Sequence, residues 1–149
     1  MALVTKKKIG VLMGGLSSER EVSLASGKAV LKALTDKGYD ALAVDVGRDA
    51  AEQVRKSGIE IAFNALHGKF GEDGAIQGML EIMGIPCTGS GILASAMGMN
   101  KIISKTLFKA YGLHVGTFLS VSRGDRDMLR TAQAEIGFPL VVKPSSEGS

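Results

Sequence analysis

The sequence predicts an α/β fold built on a parallel sheet with right-handed crossover helices. Two observations carry this. Short apolar runs alternate with segments of helical spacing along most of the chain, and the 20 glycines fall between those runs rather than in a repeat. That placement suits tight turns between strand and helix. With 45% hydrophobic residues in 149, the chain can bury the core of one ordinary domain, or of one small domain and part of a second.

Each element has its own signal. Ile9 to Met13 is a continuous apolar run, as expected for a strand buried on both faces, and Gly14-Gly15 ends it. Ser18 and Glu21 form an S-x-x-E capping box, so a helix is expected to start there. Val22, Ala25, Ala29, Val30, Ala33 and Leu34 give it an apolar stripe, and Gly38 closes it. Ala41 to Val46 reads as a second strand, Asp49 to Lys56 as a short polar helix stopped by Gly58, and Ile59 to Leu66 as a third strand. Asp73 is placed to cap a helix over Ala75 to Met83, with Gly84 and Pro86 as stop signals. A short strand at Pro86-Cys87, the loop Thr88-Gly89-Ser90-Gly91 and a small-residue helix over Ile92 to Met97 complete the unit, which is expected to end near Gly98. Residues 1–98 thus form the first domain. Over residues 99–149, Asn100 caps a helix carrying Ile102, Ile103, Leu107 and Phe108. A strand over Val115 to Val121, a helix over Asp125 to Ile136 and a strand over Pro139 to Val142 follow. These are too few for a separate sheet and read as the opening of a second domain, cut short.

Composition excludes several classes. The net charge of +3 owes part of its value to Lys6-Lys7-Lys8, and aromatics make up 5% with no tryptophan, so a nucleic-acid surface is not expected. Cys87 is the single cysteine, which excludes an intrachain disulfide and fits a reducing, cytoplasmic setting. No apolar run is long enough to span a bilayer, and Ile9 to Met13 is too short for a signal-peptide core.

The chemistry-bearing residues gather at strand ends. Gly14 to Glu19 links the first strand to its helix, at the sheet edge where such folds bind ligands. It is neither the G-x-G-x-x-G fingerprint nor a Walker loop. Glu19 there either complements the helix dipole or presents a carboxylate to a ligand ammonium. His67, in Leu66-His67-Gly68, ends the third strand at the same edge, where Gly68, Gly71 and Gly74 open the backbone. Its imidazole can be structural, or can address a ligand carboxylate. Glu72 and Asp73 are assigned mainly to loop and cap duty. Lys101, Lys105 and Lys109 share one helix face, which by default is a solvated stripe. Lys101 differs because the first helical turn disfavours a cation, and an anionic ligand would relieve that. Lys143 ends an apolar run and leads into Pro144-Ser145-Ser146-Glu147-Gly148-Ser149. A buried ammonium there would need an anion, so a phosphate is the expected partner. The seven methionines read as core filler.

Several segments together resemble the D-alanine–D-alanine ligase family. They are Met13 to Leu24, Ala65 to Gly68 with Gly71 to Gly74 and Gln77-Gly78, Pro86 to Gly91, Met99-Asn100-Lys101, and Val142 to Ser149. The resemblance runs from Ile9 to Ser149. It implies a Rossmann-like, pre-ATP-grasp domain followed by the start of an ATP-grasp domain. It further implies ATP-dependent joining of two D-alanines through an acyl phosphate, for peptidoglycan precursors, in the cytoplasm, by a homodimer using magnesium. Glu19 then corresponds to the carboxylate that holds the first D-alanine's ammonium, with Val22 lining its methyl pocket and His67 near its carboxylate. Lys101 and Lys143 correspond to nucleotide-binding lysines. Ser149 corresponds to the first serine of a Glu-Gly-Ser-Ser loop that bonds to the Glu19 position. The family's second loop serine, lid tyrosine, catalytic arginine and magnesium carboxylates fall after Ser149, so the 149 residues alone are expected to be inactive. A D-alanine–D-lactate or D-alanine–D-serine ligase, and a noncatalytic Rossmann-like ligand-binding module, remain the alternative readings.

Overall fold

The structure is a computed structural model and describes residues 7–122, 124–125 and 127–147. Its centre is a parallel sheet of three strands, β1 (Ile9–Gly14), β2 (Ala41–Val46) and β3 (Ile61–Asn64), in the order β2-β1-β3. Six helices accompany it among the described residues: α1 (Arg20–Asp36), α2 (Ala50–Ser57), α3 (Ala75–Ile82), α4 (Ile92–Met99), α5 (Lys101–Ala110) and α6 (Met128–Glu135).

The continuous apolar run of β1 makes it the central strand. All six of its residues are buried, with Ile9 in register with Ala41 on one side and Ile61 on the other. Alternate side chains then serve two cores. Leu12 packs with Val44, Val46, Val54, Ile59, Ala62, Leu66, Ile76 and Leu80, on the face covered by α2 and α3. Val11 and Met13 pack with Ala65 and the α1 residues Leu24, Val30, Leu31 and Leu34 on the other. Burying a side chain such as Leu12 or Leu80 contributes about 1.5–3 kcal/mol. Helix α1 approaches so closely that a Cβ on Gly27 would lie 2.5 Å from Met13 Cβ.

The Asn100 cap forms as the sequence predicts: its Oδ1 accepts from the N–H groups of Ile102 and Ile103, both at 3.1 Å. Asp73 accepts from Ala75 N–H at 3.1 Å and Phe70 N–H at 2.8 Å, but the cap position of α3 is Gly74, in the left-handed conformation, so Asp73 braces the loop one residue before the cap. Gly58 closes α2 in the left-handed conformation at φ 64°.

Other expectations need correction. No Ser18–Glu21 capping box forms: α1 starts at Arg20, so Glu19 and not Ser18 holds the cap position, and its side chain makes no cap hydrogen bond. The third strand stops at Asn64, whose Oδ1 accepts from Leu66 N–H at 3.1 Å and turns the chain. The strand expected at Pro86-Cys87 is a single bridge, Ala62 to Cys87. Helix α6 is shorter than Asp125 to Ile136, and α4 runs on to Met99. Val115 to Val121 and Pro139 to Val142 form no strand: apolar β-branched content favours extension, yet a strand also needs a ladder partner, and none pairs with them among the described residues. Val141 and Val142 are 78% and 73% exposed.

Candidate functional site

Parallel strands end together, so the loops after β1 and β3 meet at one sheet edge. Side-chain hydroxyls fasten them. Ser17 Oγ accepts from Glu19 N–H at 3.1 Å and donates to the His67 carbonyl at 2.7 Å. One serine thus ties together the backbones of the two residues expected to face the amino-acid ligand. Below it, the buried Ser23 Oγ accepts from Gly14 N–H at 2.9 Å and donates to the Ala65 carbonyl at 2.7 Å. The Glu19 carboxylate lies over Gly68: a Cβ there would sit 2.6 Å from Glu19 Oε2, and Gly68 has φ 68°. Any side chain at this position would displace the carboxylate.

The His67 ring, partly buried, has Ser26 Oγ at 3.0 Å from Nε2 and Glu72 Oε1 at 4.0 Å from Nδ1. Glu72 Oε2 accepts from Gly68 N–H at 2.7 Å, so Glu72 braces the same loop. Arg20 forms a two-point pair with Asp45 at 2.8 and 2.7 Å and also donates to the Gly15 carbonyl. This joins the end of β2 to the Gly14-Gly15 turn. The hydrogen bonds and the charge of Asp45 push the Arg20 guanidinium above its ordinary range, so it stays cationic.

Two clefts open here. One, of about 200 Å3, lies between the end of β2, the first turn of α3 and the loop after β3, with Leu16, Val46, Leu66, His67, Phe70 and Ile76 among its walls. The other, of about 470 Å3, has Lys69 and Asp73 on one side and Asn100 and Pro144 to Glu147 on the other. The loop after β3 therefore faces the segment that follows Lys143 across a shared space.

Lys101 is fixed to that segment at two points. Its backbone N–H donates to the Ser145 carbonyl at 2.8 Å, and its Nζ donates to the Glu147 carbonyl. The lysine stripe is thus not uniform: Lys105 lies over the Phe118 ring, 5.0 Å from its centroid, and Lys109 is exposed. Lys143 departs from expectation. It is exposed, so burial does not oblige it to hold an anion; the apolar run before it lacks a sheet to enter. Val22 is 57% exposed and lines neither cleft. Ser149 lies outside the described residues. Among the described residues no group of three or more His, Cys, Asp or Glu could hold a metal ion, and no helix is long and apolar enough to cross a membrane.

Ser17, Ser23, Ser26 and the bracing role of Glu72 are not evident from the sequence. Ser23 left one trace, a polar residue four positions before Gly27 on the buried side of α1.

The fold is an α/β module with a candidate site at the carboxyl edge of its parallel sheet, the edge where such folds bind ligands. The family model D-ala D-ala ligase N-terminus matches residues 8–53 and 46–90. The chain is 60% identical over 143 residues to the D-alanine–D-alanine ligase of Geotalea uraniireducens, an alignment covering 96% of this chain and 46% of that protein. The crystal structure of the D-alanine–D-alanine ligase from Bacillus anthracis superimposes with a TM-score of 0.81 at 38% identity, over 96% of this chain and 47% of that one. The same Bacillus anthracis enzyme complexed with ATP gives a TM-score of 0.72 at 37% identity, over 95% and 48%. The chain belongs to the D-alanine–D-alanine ligase family, matching its N-terminal portion. It spans about half the length of the curated relatives it matches.

Proposed function

We propose that this chain supplies the first-substrate site and the opening of the nucleotide site of an ATP-dependent D-alanine–D-alanine ligase. The observation that carries the reading is the Ser17 clip, which holds Glu19 and His67 at one sheet edge. A carboxylate and an imidazole so placed suit the two ends of a small zwitterion, Glu19 taking the ammonium and His67 the carboxylate. Val22 contributes to the methyl pocket when substrate is bound. Residues 1–98 form this amino-acid-binding domain and residues 99–149 begin the nucleotide-binding one.

ATP is the co-substrate that activates the first carboxylate as an acyl phosphate, which the second amine attacks. Donors that suit a polyphosphate gather at one loop: Ser145 and Ser146 line the larger cleft, the Lys101 ammonium is bonded to the same loop at the Glu147 carbonyl, and Lys143 precedes it in sequence. The described residues do not provide a magnesium site, and the metal's ligands belong to other parts of the enzyme. The enzyme works in the cytoplasm as a homodimer. D-lactate and D-serine as second substrates are not favoured, because the closely similar relatives are named for D-alanine.

Steady-state kinetics of the complete enzyme test the reading. A charge-assisted hydrogen bond contributes about 1.5–3 kcal/mol, so Glu19→Ala is expected to raise the first D-alanine's KM by about 10- to 150-fold. Lys143→Ala is expected to raise the KM for ATP. An unchanged first-substrate KM in Glu19→Ala refutes the assignment.

A further inference from the structure

We propose that Ser26 is a positioning residue that fixes the tautomer and rotation of the His67 ring, and through it the hold on the first substrate. This rests on the proposed amino-acid site but adds a residue to it. Ser26 lies one helical turn beyond Val22, on α1, and is partly buried. Its hydroxyl has a single hydrogen. Three acceptors lie within reach of Oγ: the Val22 carbonyl at 2.9 Å, the Ser23 carbonyl at 3.2 Å and His67 Nε2 at 3.0 Å.

The two carbonyls can only accept. A helical serine commonly gives its hydrogen to the carbonyl three or four residues back, and the Val22 distance is the shortest of the three. With its hydrogen placed there, Oγ offers only lone pairs to the imidazole. The neutral ring must then carry its proton on Nε2 and donate it to Ser26.

The other nitrogen is left for chemistry. Glu72 Oε1, at 4.0 Å from Nδ1, is beyond direct hydrogen-bond reach, and Glu72 Oε2 is already engaged by Gly68 N–H. Among the described residues Nδ1 therefore makes no hydrogen bond. Meanwhile Ser17 holds the His67 carbonyl. Backbone and ring are thus fixed by separate hydroxyls, and Nδ1 is the nitrogen presented to a ligand; toward a carboxylate it acts as a donor in the doubly protonated ring, whose Nε2–H Ser26 accepts in the same way.

Nitrogen-15 NMR of the histidine rings tests this in the full-length protein without substrate, at about pH 8, above the ordinary imidazole range. Comparison with a His67→Gln spectrum assigns the His67 signals. Nε2 of His67 is expected to be the protonated nitrogen. Ser26→Ala is expected to give a mixture of tautomers and to raise the first D-alanine's KM about tenfold, the value of one ordinary hydrogen bond, with the KM for ATP unchanged. Ser26→Thr, which keeps the hydroxyl, is expected to restore both. A wild-type ring protonated on Nδ1 overturns the proposal. So does a Ser26→Ala protein with unaltered tautomer, or one with altered tautomer and unaltered KM. Failure of the underlying site assignment is read separately, from Glu19→Ala.

Discussion

Replacing Ser23 by alanine removes one oxygen from the interior, and its expected effect can be worked out group by group. The hydroxyl is fully buried, accepts from Gly14 N–H at 2.9 Å and donates to the Ala65 carbonyl at 2.7 Å. Alanine leaves both backbone groups without that partner. Each buried group left unpaired costs about 1–3 kcal/mol. Alanine's better helix propensity returns about 0.5 kcal/mol. The net loss is about 2–5 kcal/mol, a large share of the 5–15 kcal/mol typical of a whole domain. Urea titration of the full-length protein reads it. At a slope of about 1–3 kcal/mol per molar, the midpoint is expected to fall by about 1–2 M with the slope unchanged. Thr35→Ala is the control: Thr35 is exposed on the same helix and bonds only to the carbonyls of Leu31 and Lys32, so its change is expected to stay within about 0.5 kcal/mol. A Ser23→Ala loss no larger than the control's refutes the view that this hydroxyl sutures β1 to the loop after β3.

Gly27→Ala is expected to destabilise by about 1–3 kcal/mol despite improving helix propensity, because the new methyl meets Met13 Cβ at 2.5 Å; a stabilised variant in the same urea assay contradicts the packing. Burial pushes the Cys87 thiol above its ordinary value, so less of it is thiolate at any pH below the folded value. Its alkylation by iodoacetamide at pH 7.5 is expected to be slower in the folded protein than in urea, and still rising above about pH 8.5, where an ordinary thiol is half ionised. A rate profile that levels off there, as for a free thiol, removes the desolvation.

The strands of the sheet were legible because their residues state both partners at once. Ile9 to Met13 has no polar side, which suits only the middle of a sheet, and the β2-β1-β3 order places it there. The runs at Val115 to Val121 and Pro139 to Val142 carry the same residue types and form no strand. Local preference measures how readily a segment extends, whereas a strand also needs a ladder partner, and none pairs with these runs among the described residues. The same gap bears on Lys143: with no ladder partner beside the run before it, Val141 and Val142 are exposed and so is the lysine, so burial does not oblige its ammonium to hold an anion.

The site divides along a similar line. Glu19 and His67 could be placed at one edge from the order of elements, since both follow parallel strands. The residues that hold them could not. Ser17, Ser23 and Ser26 look like ordinary turn and helix positions, and a serine inside a helix carries no message about what lies 40 or 50 residues away. Yet their hydroxyls reach His67 and Ala65 across sequence separations of 50, 42 and 41. Hydroxyls suit this work because each both donates and accepts, so one atom can satisfy the loop it belongs to and the loop it captures. A methyl at any of the three would fit the space and leave its acceptor or donor unanswered. In the proposed site the carboxylate and the imidazole would supply the charge and the proton chemistry, and the serines would set the spacing that an amino acid has to bridge.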